Sequence, residues 1–250
     1  MKTTSQSGRC IISTSFCAVI TCLALLTQGK AEIEPDAKAL VESVATKLQS
    51  AKTLRVTAKH KLAEPIGVGS KLDKGPLLVT VKRPNLFYVM QSAKEETREM
   101  AYDGKEICIM HPKLKHHALE PLKADTIEQF ADQMEKQFGF RPPLAELLSE
   151  DMATQLFKHV TSAKVVGNER VGWTRCKHLH FVQEGMTGDL WVGIKDNLPR
   201  RYMLTFTNIT GNPTWDIRLS KWELDKPVDD SLFTKRPASD STQVKMLKTQ

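Results

Sequence analysis

The chain has 250 residues, with 36 Lys and Arg against 29 Asp and Glu, and a formal net charge of +7. An excess that modest, partly confined to the first thirty residues, excludes a nucleic-acid-binding domain. The length fits one large domain or two small ones and suffices for a sizeable core without covalent staples.

The first residues carry a targeting pattern. Lys2 and Arg9 precede an apolar run from Ile11 to Thr27, and Gly29-Lys30-Ala31 ends in small residues. This is the layout of a cleavable secretory signal peptide over 1–31. The run is shorter than the roughly 20 apolar residues of a spanning helix, and an uncleaved anchor is the alternative. Removing 1–31 deletes three cations and no acid, leaving 219 residues at a formal charge of +4. The mature chain is expected to be exported, soluble and without a transmembrane helix.

Past the signal, Pro35-Asp36 opens a helix, with Asp36 as its cap and Leu40, Val41, Val44, Ala45 and Leu48 recurring at helical spacing. At LRVTAKHKL the period changes to two, so Leu54, Val56, Ala58 and His60 share one strand face. A loop with Pro65, Gly67 and Gly69 follows. Next come a strand with Leu77, Val79 and Val81, an interruption at Arg83-Pro84-Asn85, and a resumption with Phe87 and Val89. Asp103-Gly104 marks a hairpin turn inside REMAYDGKEICIMHP, and HHALEPL adds a short strand.

An insert at about 124–160 is helical. Ile127, Phe130, Ala131, Met134 and Phe138 form a stripe that Gly139 ends, and Pro142-Pro143 suit the first turn of a second helix. Strands return from Ala163: AKVVGNERV, TRCKHLHFVQE, the hairpin DLWVGIKDNLPRRYMLTF, and TWDIRLSKWEL. The residues after Pro237 read as a polar, flexible tail over 237–250. About four strands, an insert and about four more, joined by hairpins, predict an α+β fold. Its curved antiparallel sheet is an incomplete barrel with helices covering the concave face, as a single domain over 32–236.

Chemical motifs are sparse. Cys176, His178 and His180 share one strand face, but zinc would need further ligands from His60, His111, His116 or His117, so no metal is assigned. Glu146, Glu150 and Asp151 read as helix-end acids, and Arg200-Arg201 as a basic strand start rather than an anion site. Asn208-Ile209-Thr210 matches a glycosylation acceptor, a short motif that on its own assigns no function. No serine elbow, phosphate cradle or cofactor motif is present, so neither catalytic residues nor a cofactor are assigned. Of five cysteines only Cys108 and Cys176 lie beyond the signal, and spacing leaves their pairing open.

AYDGK, VKRPNLFYV, FGFRPPLAELL, CKHLHF and LPRRYMLTF followed by WDIRLSKWEL, spread over roughly Ala37 to Phe233, resemble the bacterial predicted periplasmic proteins of domain-of-unknown-function family 2092. The resemblance implies the LolA-like fold of the lipoprotein carriers, an incomplete barrel with a helical lid. It implies no activity, and the rim near Glu64–Gly75 departs from the cleaner strand pair expected there.

From these readings the chain is expected not to be an enzyme. It is expected to bind or carry a hydrophobic ligand, an acyl chain, lipid or lipoprotein, in the half-barrel. Phe87, Val89, Leu179, Phe181, Leu204, Phe206, Ile217 and Leu219 are the expected lining. The alternative is a periplasmic interaction or sensor module whose partner is an envelope protein and which carries no lipid.

Overall fold

The structure, a computed structural model, describes residues 32–67 and 70–249. The expected signal segment, and Gly69 of the first loop, lie outside the described residues.

Helix α1 (Pro35–Gln49) starts on a proline, whose missing amide costs nothing in a first turn. Asp36, expected as the cap, sits inside that turn instead, while Glu34 holds the cap position without a side-chain bond. The Asp36 carboxylate still faces the positive end of the helix dipole. Ala37, Leu40, Val41, Val44, Ala45 and Leu48 are buried, the stripe the sequence spells out.

Six strands then form a meander: β1 (Thr53–Leu62), β2 (Lys74–Lys82), β3 (Leu86–Ala93), β4 (Glu96–Tyr102), β5 (Glu106–His111) and β6 (His116–Pro121). Arg83-Pro84-Asn85 is the turn between β2 and β3, since a proline cannot donate to a sheet ladder. Arg83 also clamps the end of α1. Its Nε donates to the Ala51 carbonyl at 3.1 Å and its Nη2 to that of Leu48 at 3.4 Å. The Asp103-Gly104 turn forms as expected, with Gly104 at φ 90°.

The insert folds as α2 (Ile127–Phe138), α3 (Ala145–Leu148) and α4 (Met152–Phe157). Thr126 caps α2, accepting from the Gln129 amide at 3.2 Å. Gly139 ends it at φ 73°. The second helix is shorter than the prolines suggest. Leu144 adopts a left-handed φ of 63° after the prolines, so the helix starts only at Ala145, and Ser149 leaves it in an extended conformation, so a single turn forms. A second meander comprises β7 (Val160–Val171), β8 (Thr174–Gln183), β9 (Met186–Gly193), β10 (Pro199–Phe206) and β11 (Thr214–Leu224).

The C-terminal residues are docked, including those expected to form a loose tail over 237–250. Phe233 is fully buried on the outer face of the sheet with Tyr88, Ala101, Cys108 and Met110. Beyond it, β12 (Thr242–Gln243) pairs parallel with β6, Lys115 meets Asp240 at 2.6 Å, and the Thr249 amide donates to the Gln137 carbonyl at 2.9 Å. The tail is polar because it covers a strand edge, where backbone bonds rather than apolar side chains hold it.

All twelve strands form one sheet in the order β12-β6-β5-β4-β3-β2-β1-β11-β10-β9-β8-β7, antiparallel but for β12. At about 4.8 Å between strands a flat sheet of this size is about 50 Å wide, whereas α2 is about 18 Å long. Yet one core joins Ile107 of β5, Ala163 of β7, and Val44, Phe130 and Leu156 of the helices. The sheet therefore curls around its helices. Its two ends, β12 and β7, do not pair, so the barrel stays incomplete.

Candidate ligand-binding hollow

The helices do not fill the concave side evenly. On β3 and β4 the cover is tight: the Phe130 ring stacks on Tyr102 at 4.0 Å between centroids and packs on Phe87 at 5.5 Å. Tyr102 is buried and donates to the Ala124 carbonyl, and burial pushes its pKa up to about 12. Over β8 to β11, α1 covers one end, where Leu40 and Ser43 meet Lys177 and Val192, and the rest is covered by the one-turn α3, the short α4, the end of α2 and the loops around them. A hollow of about 580 Å³ remains there. That is within the size range of small-molecule sites.

Its sheet wall comprises Phe181, Met186, Tyr202, Leu204, Phe206 and Trp215, with Leu62 and Ile66 at the rim and Phe140 and Leu156 on the helical side. Residue parity explains the wall. Tyr202, Leu204 and Phe206 alternate with Arg201, Met203 and Thr205 along β10, so one face points inward. Gly188 stands opposite Phe181 in the β8–β9 register. A Cβ at Gly188 would lie 2.0 Å from the Phe181 ring, so only glycine lets that ring lie against β9.

Of the expected lining, Phe181, Leu204 and Phe206 reach the hollow. Phe87, Val89, Leu179, Ile217 and Leu219 face the same side but are consumed in the packed core. Tyr202 and Trp215 share strand faces with expected residues and were open to the same parity argument. Ile66 and Phe140 come from irregular segments, where no period points inward.

The mouth is polar. Arg141 meets Asp132 at 2.8 Å, Glu135 at 2.6 Å and Glu146 at 3.0 Å. Burial alone would lower the Arg141 pKa, but hydrogen bonds to Glu135 and Asp132 more than offset it, and the guanidinium stays charged. Glu146 is surrounded by protein yet keeps 27% of its side chain accessible, and it lines the hollow. Burial pushes its carboxyl up. Burial, with the Glu146 charge, also pushes up the Tyr202 phenol, so the hydroxyl inside the hollow is neutral. At the rim the Trp215 indole donates to His60 Nδ1 at 3.4 Å, and burial lowers the His60 pKa.

The outer face of the same strands carries the polar side chains noted in the sequence. His178 bonds Glu169 at 2.9 Å and Asp189 at 2.8 Å, and His180 bonds the same Asp189 oxygen at 2.9 Å. The Trp191 indole donates to Glu169 at 2.8 Å, and these bonds hold the Glu169 carboxyl below its usual range. His111, His116 and His117 belong to β5 and β6, toward the other end of the sheet from β8. Arg201 pairs in bidentate fashion with Asp216 at 2.7 and 3.0 Å, and Arg200 pairs with Asp196. Both arginines are thus neutralised within the wall. Cys108 and Cys176 are buried free thiols on β5 and β8, each with its pKa pushed up by burial.

An open antiparallel sheet curled over short helices, with an apolar hollow left at one side, defines an α+β protein of the incomplete-barrel class. The chain belongs to the family described as predicted periplasmic protein (DUF2092), which matches residues 37–247. No curated protein matches it. Among solved structures, the chain is similar to the Mycobacterium tuberculosis lipoprotein LppX at 14% identity and a TM-score of 0.48, covering 78% of this chain and 98% of that one. LprF from Mycobacterium bovis gives 10% identity and a TM-score of 0.47, covering 79% and 96%. A LolA superfamily protein from Nitrosomonas europaea gives 11% and 0.34, covering 80% and 97%. No helix among the described residues is long and apolar enough to cross a membrane.

Proposed function

We propose that this periplasmic-family protein binds an acyl chain, as part of a lipid or lipoprotein, in the hollow over β8 to β11, and that it does so without catalysing a reaction. The observation that carries the reading is the lining. Phe181, Met186, Leu204, Phe206 and Leu156 surround about 580 Å³ of space that no side chain among the described residues occupies. Each methylene that moves from water into such a space contributes about 0.8 kcal/mol. The polar groups at the mouth suit the head of such a guest, and the neutral Tyr202 hydroxyl offers a donor inside. The function rests on shape and apolar area, and Glu146, Arg141 and Tyr202 orient the guest rather than transform it.

Native mass spectrometry of protein recovered from the periplasm, with organic extraction of whatever travels with it, tests the proposal. An adduct of lipid mass, displaced by a fluorescent fatty acid, is the expected result. A chain that is always empty and ignores the fatty acid would refute it. The alternative, a protein-docking module, is supported by one feature: β7 ends the sheet, and its outer half is exposed from Val166 to Arg170. It predicts a complex captured by cross-linking in the periplasm and no lipid adduct.

A further inference from the structure

The β7–β8 hairpin ends in a feature the hollow does not use. Val171 pairs with Thr174, so Gly172 and Trp173 alone make the turn, with Gly172 at a left-handed φ of 57°. Trp173 is 95% exposed. The other three tryptophans of the chain are packed and donate their indole N–H to Glu169, His60 and the Pro199 carbonyl. Beside the turn, the exposed Ile194 is tied to the hairpin by its amide, which donates to the Arg175 carbonyl at 3.0 Å.

The surroundings are cationic. Arg170 and Arg175 are direct cross-strand partners, both exposed, and Lys195 follows Ile194. Like charges placed opposite each other destabilise a strand pair unless an anion lies between them. Two neighbouring acids are engaged elsewhere: Glu169 holds His178 and the Trp191 indole, and Asp196 holds Arg200, while Asp36 of α1 lies on the far side of Ile194 from the turn.

We propose that this tip docks the protein onto an anionic lipid surface. Trp173 and Ile194 enter the headgroup region, while Arg170, Arg175 and Lys195 meet lipid phosphates. A tryptophan placed at a water–hydrocarbon boundary satisfies both its ring and its N–H there, and basic neighbours add attraction to anionic headgroups. A protein partner fits less well. A protruding two-residue turn offers little of the roughly 800 Å² per side that a stable protein interface buries. The docking stands apart from what the hollow holds.

The test uses protein recovered from the periplasm, in parallel with Trp173→Ala and with the double variant Arg170→Gln, Arg175→Gln. Each is sedimented with vesicles of phosphatidylglycerol in phosphatidylcholine, and with phosphatidylcholine alone, at low and high salt. The unaltered chain should bind the anionic vesicles, lose them at high salt, and show a blue shift in emission absent from Trp173→Ala. Either variant should bind about tenfold more weakly with unchanged thermal unfolding. Equal binding by all three, or no binding by the unaltered chain, overturns the proposal. So does a dimer that Trp173→Ala converts to monomer, which would give the tip to a second copy.

Discussion

At the scale of single residues, Gly188 and Phe181 set the shape of the wall. A methyl group at position 188 would meet the Phe181 ring well inside van der Waals contact. The backbone there does not require glycine, so the conflict is steric alone and the ring must swing toward the hollow. Gly188→Ala should cost about 1–3 kcal/mol, the usual range for overpacking, and reduce fatty-acid capacity. Denaturant titration and a displacement assay on the same preparation check both effects. A Phe181→Ala change added to Gly188→Ala should restore the capacity by returning the space. His60 gives a second prediction. Its ordinary pKa of 6.5 is lowered in the fold, first by burial and then by the Arg98 charge. The unfolded chain therefore takes up the proton more readily than the folded one. His60 then costs nothing above about pH 6.5 and destabilises the fold progressively as the pH falls below it. His60→Gln should flatten that part of the stability profile, measured by urea titration from neutral to mildly acidic pH, and leave the neutral value less affected.

At the scale of elements, the C-terminal strap decides how the sheet ends. Thr242 and Gln243 cover β6, and the Thr242 and Val244 amides donate to the Lys115 and His117 carbonyls at 2.7 and 2.8 Å. Met246 then packs on the main core. Stopping the chain after Pro237 would leave Phe233 in place but bare the β6 edge, a template for another strand. The shortened protein should lose about 1–3 kcal/mol and aggregate with mid-transition heating, read by light scattering alongside circular dichroism. This element was illegible in the sequence because a two-residue parallel pairing leaves no hydrophobic period. The long elements were legible for the opposite reason. In TWDIRLSKWEL, Trp215, Ile217 and Leu219 alternate with Asp216, Arg218 and Ser220, and β11 forms over the whole stretch, with a bulge at Ser220 that resets the faces. The stripe at Ile127, Phe130 and Met134 is buried as α2. The site was half legible. Parity puts Phe181, Leu204 and Phe206 on the inner face, but only three dimensions show that α2 has already filled the space over Phe87.

At the scale of the whole molecule, the unevenness of the helical cover links fold to function. One side of the curled sheet is sealed by Phe130 and Tyr102, and the other is left hollow because α3 has a single turn and α4 only six residues. A guest that fills the hollow binds the folded chain and not the unfolded one, so it must stabilise it. At a hundredfold excess over its dissociation constant the gain is about 2.7 kcal/mol. For a domain of this size that corresponds to a rise in Tm of about 5–10 °C. Phe206 separates this effect from non-specific detergent action. It lines the hollow and packs on the core while keeping part of its ring exposed, so Phe206→Asp should cost the empty protein about 2–3 kcal/mol. With a guest bound, the same carboxylate would be shut against hydrocarbon, which is unfavourable by several kcal/mol. The fatty-acid Tm shift, taken against the ligand-free Tm of the same variant, should therefore vanish in Phe206→Asp. A shift that persists in the variant would move the guest out of this hollow.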